Sequence, residues 1–200
     1  MEENRYTLAG WLSIVTAVVF PLAFIVEGIT DMAVQCGNVD IPWGLGPADA
    51  LFLLYAALTV YLLKSFKSLM YEYYSFREIG TVINIAIFWC IVFFAGSFIL
   101  ELLLTTVWPQ NDIGLPLVLL VFWIIGVAIF GIIDIVLAVI ILRHRSRFNT
   151  PVRVFAVLTL ITGFVEATVI LSFLAILLVP ATCVAMAFIF LRRTEEVEFV

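Results

Sequence analysis

The sequence of residues 115–142 is LPLVLLVFWIIGVAIFGIIDIVLAVIIL, and its single charged residue is Asp134. An α-helix rises 1.5 Å per residue, so about 20 apolar residues cross the ~30 Å hydrocarbon core of a bilayer. This stretch exceeds that minimum and is too apolar for the surface of a water-soluble protein. It therefore predicts a transmembrane helix that carries one acid inside the membrane.

The composition extends this conclusion to the whole chain. Of its 200 residues, 64% are hydrophobic and 12% are charged, whereas soluble domains contain about 45–50% apolar and about 25% charged residues. The formal net charge of −5 argues against the clustered basic surface that nucleic-acid binding needs. No polar stretch is long enough for a soluble domain. We expect one all-α transmembrane domain over residues 1–200, a helical bundle whose partner is the lipid bilayer.

Further apolar stretches are long enough to cross a bilayer. The last of them, residues 152–191, has no polar linker, but a single helix of that length would run to about 60 Å. We therefore predict two antiparallel helices there, joined by a tight turn near residues 168–172. The six predicted spans are 8–28, 48–63, 81–104, 115–142, 152–170 and 171–191.

Local signals predict where two of these helices begin. Thr150 followed by Pro151 is typical of an N-cap and a first helical residue, and Pro47 with Asp49 predicts the start of the second span in the same way. Residues 65–76 follow the second span. They fit either a continuation of that helix or a separate segment at the membrane interface.

Positive charge lies on one side of the predicted topology. The loops that face the other side, residues 29–47, residues 105–114 and the tight turn, contain no Lys or Arg. The positive-inside rule then predicts cytosolic termini, and we expect the plasma (cytoplasmic) membrane. No small-x-small cleavage site follows the first span, so we expect an uncleaved signal anchor. The ten basic residues are Arg5, Lys64, Lys67, Arg77, Arg143, Arg145, Arg147, Arg153, Arg192 and Arg193.

Catalytic and cofactor motifs are absent from the sequence. His144 is the only histidine, which excludes bis-histidine haem ligation, HExxH zinc sites and His-based triads within this chain. The cysteines, Cys36, Cys90 and Cys183, form no CxxC pair. There is no P-loop and no GxGxxG. We therefore expect no cofactor, no metal site, no catalytic residue and no enzymatic activity.

Two acids lie deep inside adjacent predicted helices. Asp134 is about 13 Å and Glu166 about 20 Å from the cytosolic boundary. A lipid-facing carboxylate there costs roughly 2.5–3.5 kcal/mol on insertion scales, so it must be protonated, hydrogen-bonded or paired with a cation. Thr162 and Thr159 share the helix face of Glu166, which predicts a hydroxyl partner. Gly131, one turn before Asp134, predicts close helix packing. Asp134, Glu166 and Thr162 are our candidate substrate or ion pathway.

A second group of acids lies near the predicted outer surface. Glu27 ends the first predicted helix and Glu101 ends the third, where the helix dipole disfavours negative charge. These two acids are candidates for an outer opening that attracts cations. On the third helix, Cys90, Phe94, Ser97 and Glu101 share one face. This face fits either the lining of a funnel or ordinary packing in which Ser and Cys bond to their own helix.

Three functions fit these observations. The one we favour is a small transporter or transport subunit for a proton, a cation or a small solute, with buried carboxylates as the binding groups. The second is a non-catalytic accessory, assembly or sensor subunit. The third is a membrane-embedded lipid enzyme with Asp134 and Glu166 as an acid–base pair. A polar cavity that reaches either acid would favour the transporter, whereas a closed, dry bundle would favour the accessory subunit.

Overall fold

The chain is helical throughout the part that the structure describes. The structure, a computed structural model, describes residues 2–36, 46–107 and 114–197, and these ranges contain no strand. The predicted all-α class is confirmed. The helices in these ranges are α1 (Glu2–Gln35), α2 (Pro47–Tyr74), α3 (Gly80–Val107), α4 (Gly114–Arg143), α5 (Thr150–Ala167) and α6 (Ala175–Val197).

All six of these helices are long and apolar enough to cross a membrane. The shortest, α5, has 18 residues, which at 1.5 Å per residue gives about 27 Å, close to the thickness of a hydrocarbon core. The described residues therefore contain the six apolar helices that the sequence predicts.

The helices extend beyond the ends of their apolar stretches. The sequence predicts that Glu27 and Glu101 end the first and third helices, and both predictions are wrong. The α1 helix continues to Gln35 and the α3 helix to Val107. The reason is that a polar side chain does not interrupt the backbone hydrogen bonds of a helix, and no Pro follows either acid within its helix. Neither acid therefore opposes the dipole at a helix end.

The α2 helix likewise continues past its apolar stretch, through Tyr74. It ends where Ser75 adopts a left-handed conformation with φ 49° and the N–H of Phe76 donates to the carbonyl of Met70 at 3.0 Å. Such a reversal is a common way for a helix to end. Of the two arrangements that residues 65–76 allow, the structure therefore has the continuation of the helix for most of this segment.

The helix-start signals are correct for α2 and displaced by one residue for α5. Pro47 is the first residue of α2, and the Asp49 carboxylate accepts a hydrogen bond from the N–H of Gly46 at 2.7 Å. In α5 the N-cap is Asn149, not Thr150, because the Asn149 side chain accepts from the N–H of Val152 at 3.4 Å. Asn is at least as good an N-cap as Thr.

The six helices form a closed ring. Each helix packs against its neighbours in the chain, and α6 packs against α1. The Ser13 hydroxyl on α1 donates to the carbonyl of Cys183 on α6 at 2.7 Å, which supports the closure. A ring of this kind places one face of every helix toward a common interior.

One end of the ring, here called the basic end, is tightly packed. It contains the start of α1, the end of α2 and the start of α3, where Tyr6 donates to Glu72 at 2.5 Å and Lys67 to Asn84 at 2.8 Å. A continuous apolar core fills it, including the fully buried Phe66, Met70, Ile79, Ile83, Ile141, Val152 and Phe190.

A tight hairpin joins α5 to α6 at the opposite end. The α5 helix ends at Ala167 and α6 begins at Ala175. The break therefore includes the predicted turn near residues 168–172 and is slightly longer than predicted. A 3₁₀ turn, Ser172–Leu174, fills part of the connection. Val169 has φ 56°, a left-handed conformation that is strained for a β-branched residue. Its N–H donates to Glu166 O at 3.1 Å and its carbonyl accepts from Ser172 N–H at 3.0 Å, which holds this conformation in place.

Removing the strain at Val169 should stabilise the protein. Because the left-handed conformation costs an L-residue roughly 1–2 kcal/mol that Gly does not incur, we expect V169G to raise the free energy of unfolding by about 1 kcal/mol. The matched control is V157G, at an exposed position inside α5, which should lower it by about 0.5 kcal/mol. Unfolding in detergent, followed by circular dichroism, measures both. If V169G and V157G lowered the free energy of unfolding by equal amounts, the strain at Val169 would be contradicted.

The backbones of α4 and α5 touch at two glycines. A Cβ on Gly131 would lie 2.6 Å from the Gly163 carbonyl oxygen and closer still to the Ala167 nitrogen. A Cβ on Gly163 would lie 2.7 Å from the Gly131 carbonyl oxygen and 2.9 Å from the Ile135 nitrogen. These neighbours are backbone atoms that cannot rotate away. The close packing that the sequence predicts for Gly131 is therefore present, and it involves the helix that carries Glu166.

Separating this contact should destabilise the bundle. We expect G131A to lower the free energy of unfolding by about 1–3 kcal/mol, since α4 and α5 must move apart to admit the methyl group. Gly28 on α1 has open space around it, so G28A should be neutral or slightly stabilising because Ala favours a helix. Denaturation of the two variants under the same conditions measures the free energy of unfolding of each. A G131A protein as stable as G28A would contradict the close contact between α4 and α5.

Candidate functional site

The ring encloses a cavity of about 470 Å³ to which all six helices contribute. Its inner limit is formed by Leu62, Leu137 and Phe155, which also belong to the apolar core of the basic end. Toward the opposite end the lining includes Ser172 and Phe173 of the hairpin, and Phe173 is largely exposed. The volume lies in the range of sites for small organic molecules.

The two acids that the sequence predicts deep inside the membrane both line this cavity. The acids are Asp134 on α4 and Glu166 on α5, and their two helices pack against each other. Each acid follows a contact glycine by three residues, Gly131 in α4 and Gly163 in α5. Residues three apart lie near the same helix face, and because α4 and α5 run antiparallel, the two equal steps lead in opposite directions along the bundle. The glycine contact therefore holds together the two helices that carry the acids, with the acids about one helical turn apart in depth.

Hydroxyl groups line the cavity with these two acids, and the four residues are here called the acidic wall: Asp134, Glu166, Thr159 and Thr162. The Thr162 hydroxyl donates to the carbonyl of Leu158 at 2.9 Å, on its own helix. Thr159 is only 4% exposed, and its hydroxyl has no hydrogen-bond partner in the described ranges. A buried polar group without a partner is uncommon and disfavoured.

The hydrogen bond that the sequence predicts between a Thr hydroxyl and a carboxyl group is not formed. Among the described residues, no side chain or backbone group donates a hydrogen bond to Asp134 or Glu166. Thr162 prefers the carbonyl one turn earlier in its own helix, as Thr commonly does in apolar helices. The carboxyl oxygens are therefore directed to the cavity without a protein donor.

Aromatic rings of four helices also line the cavity, and they are here called the aromatic wall. Tyr55 lies 4.9 Å from Phe20 and 5.7 Å from Phe94 between ring centroids, and Phe24 lies 6.1 Å from Trp123. Such offset and edge-to-face contacts stabilise one another and fix the ring positions. The wall spans α1 to α4 and comprises Phe20, Phe24, Phe52, Tyr55, Phe93, Phe94, Trp123 and Phe130.

Sequence reasoning missed the aromatic wall, although a signal for it exists. Phe20 and Phe24 are four residues apart, Phe52 and Tyr55 are three apart, and Trp123 and Phe130 are seven apart. Each spacing places two rings on one helix face. Aromatic pairs on several predicted spans therefore indicate faces that could meet in a common interior.

No basic side chain balances the acids. Within the described part of the chain, the residues that line the cavity include no Lys, Arg or His. Arg5, Lys67 and His144 instead contact polar partners near the basic end, with His144 Nε2 lying 3.6 Å from a Glu78 carboxylate oxygen. The described lining therefore combines two carboxyl groups with aromatic surface and contains no cationic side chain.

The remaining candidates from the sequence lie apart from this cavity. Ser97, Glu101 and Glu27 are not among its lining residues, whereas Cys90 and Phe94 from the same α3 face are. The thiol of Cys90 donates to the carbonyl of Ala56 at 3.8 Å, which fits helix packing. The proposed funnel along α3 therefore does not continue from the cavity to Glu101. Two further acids, Asp40 and Asp112, belong to the predicted outer loops at residues 29–47 and 105–114, and they lie outside the described residues.

Comparison with known proteins does not assign the chain to a group. No protein-family model matches it, and no curated protein or solved structure is significantly similar to it.

Proposed function

We propose that the protein is a small transporter or transport subunit that binds its substrate, a proton, a cation or a small solute, at Asp134 and Glu166. The single observation that carries this proposal is the cavity, because both carboxyl groups line it and receive no hydrogen bond from the described residues. A closed, dry bundle would favour an accessory subunit. The cavity instead provides space and unpaired binding groups in the interior of the ring.

An enzymatic role fits this cavity less well than binding does. Membrane enzymes that act on lipid usually carry their site near an interface and recruit His, Arg or Lys for proton transfer, and the described lining of this cavity includes none of these three. We therefore propose a non-catalytic protein that acts through binding and passage of its substrate.

The proposed orientation places the basic end in the cytosol of a cell with the protein in its plasma membrane. Positive charges are retained on the cytosolic side of membrane proteins, and Arg77, Arg145 and Arg192 lie at the helix ends that meet at the basic end. Under this topology, the cavity is closed toward the cytosol by the apolar core and approached from the outside near the α5–α6 hairpin.

Thiol labelling tests this topology. Cys36 follows α1 at the end opposite the basic end and is exposed, so in a C90S/C183S background a membrane-impermeant maleimide should label it in intact cells. The matched variant, R145C in a cysteine-free background, should be labelled only after the cells are permeabilised. Labelling of R145C in intact cells would reverse the proposed orientation.

Flux measurements test the role of the two carboxyl groups. Liposomes that contain the protein and a trapped pH-sensitive dye receive a proton gradient and are then exposed to sodium, potassium or a quaternary ammonium ion. We expect D134N and E166Q to lower the cation-dependent proton flux by about tenfold or more, since a charged hydrogen-bond partner contributes roughly 1.5–3 kcal/mol. The amides match the acids in size, so folding should be retained.

The controls E27Q and E101Q remove acids that do not line the cavity, and both should retain the flux. If D134N and E166Q also kept it in full, the carboxyl groups would be structural. If wild-type liposomes behaved like protein-free liposomes with every cation, the exchange of protons for these cations would be contradicted.

A further inference from the structure

The two walls of the cavity restrict what can bind there. Asp134 and Glu166 provide two carboxyl groups, which a bound cation would hold in the ionised form, and the Thr159 hydroxyl is buried without a partner in the described ranges. An anion would meet two acids and no cationic side chain in the described lining, and a neutral apolar molecule would leave all three polar groups unsatisfied, which is costly in a buried site. A positively charged occupant satisfies the acidic wall.

The lining of the cavity fits an inorganic metal ion poorly. Hard cations such as Ca²⁺ and Mg²⁺ require about six or more oxygen ligands, whereas the described residues contain no group of three His, Cys, Asp or Glu side chains arranged to hold a metal. Most of the lining is apolar. An inorganic ion that kept its hydration shell would gain little binding free energy from this apolar surface.

The faces of aromatic rings attract organic cations instead. A Trp, Tyr or Phe face within about 6 Å of an ammonium group stabilises it by roughly 0.5–2 kcal/mol, most strongly with Trp. Tyr55 belongs to the aromatic wall, and both Tyr55 and Glu166 line the cavity. A cation near these two residues would contact a carboxyl group and a ring, with room beside it for an apolar body.

We infer that the substrate of this cavity is a lipophilic organic cation, such as a quaternary ammonium, phosphonium or hydrophobic amine ion. Its charge lies against Asp134, Glu166 and Thr159, and its apolar body lies against the aromatic wall. This inference rests on the proposed function, because it takes the cavity as the substrate site. It names the class of substrate that the two walls select together.

Two ions of the same shape and opposite charge test this inference. Tetraphenylphosphonium and tetraphenylborate differ in the sign of their charge, so the purified full-length protein in detergent should bind the first saturably and at least about tenfold more tightly. Isothermal titration measures both. Equal affinity for the two ions would overturn the inference, because recognition would then depend on apolar surface alone.

Variants of each wall locate the bound ion. D134N and E166Q should each weaken tetraphenylphosphonium binding by about tenfold, and W123L should weaken it by a few-fold through loss of a ring face. The matched controls are E101Q and F164L, since neither residue lines the cavity and Phe164 is exposed. A loss of binding in the controls equal to that in the wall variants would overturn the assignment.

A further measurement leaves the residues of both walls unchanged, so its result does not depend on the folding of wall variants. Cys183 lines the cavity. In C36S protein, a trimethylammonium-ethyl thiosulfonate reagent should modify Cys183 faster than the sulfonate-ethyl reagent of similar size, with each rate divided by that reagent's rate with a free thiol in solution, and tetraphenylphosphonium should slow the reaction. Mass spectrometry separates Cys183 from Cys90. Faster reaction with the anionic reagent would overturn the inference.

The outcomes also separate this inference from the transport proposal. If tetraphenylphosphonium fails to bind while sodium or potassium still drives a flux that depends on Asp134 and Glu166, the substrate class is wrong and the transporter stands. If tetraphenylphosphonium binds with the expected charge preference but no cation drives any flux, the substrate class stands and the exchange of protons for these cations is contradicted.

Discussion

The contact between the backbones of α4 and α5 determines the position of the site. Because Gly131 and Gly163 have no Cβ, the backbone of each helix lies close to the glycine carbonyl oxygen of the other helix. A side chain at either position would collide with that oxygen. Both acids lie three residues from these glycines and line the cavity. Without this contact, the two helices that carry the acids would lie farther apart.

The ring differs in packing along its length, and this difference gives the cavity a floor. At the basic end, large side chains such as Phe66 and Phe155 interlock at 5.1 Å between ring centroids, and hydrogen bonds join the helix ends. Toward the other end, the rings of the aromatic wall pack mainly against one another. They leave space between themselves and the acidic wall, so the same six helices form both a seal and a binding volume.

The sequence predicts the helices well because a long apolar run has few other stable structures in a bilayer. It predicts helix ends less well: Glu27 and Glu101 lie where the apolar runs end, but backbone hydrogen bonding continues past them. The N-cap of α5 is displaced to Asn149 because Asn and Thr compete for the same role and only the folded geometry decides between them.

The site is predictable only in part, for a related reason. Asp134 and Glu166 are recognisable from the sequence because a carboxyl group deep in an apolar helix is costly anywhere except in an interior. Their common wall depends on the crossing of α4 and α5, which the sequence indicates only through Gly131. The aromatic wall depends on four helices meeting around one space. Helical spacing assigns Phe20 and Phe24 to one face, but it does not say which helix that face meets.

The two walls together explain why water alone is a poor occupant of the cavity. A buried water molecule needs about two to four polar partners, and apolar side chains make up most of the lining around Asp134, Glu166 and the hydroxyl groups. Beside Phe24, Phe94 and Trp123, water would find ring faces in place of hydrogen-bonding groups. A molecule with one charged end and one apolar end meets both requirements at once. The chemical asymmetry of the cavity therefore favours a solute of matching asymmetry over either water or a simple ion.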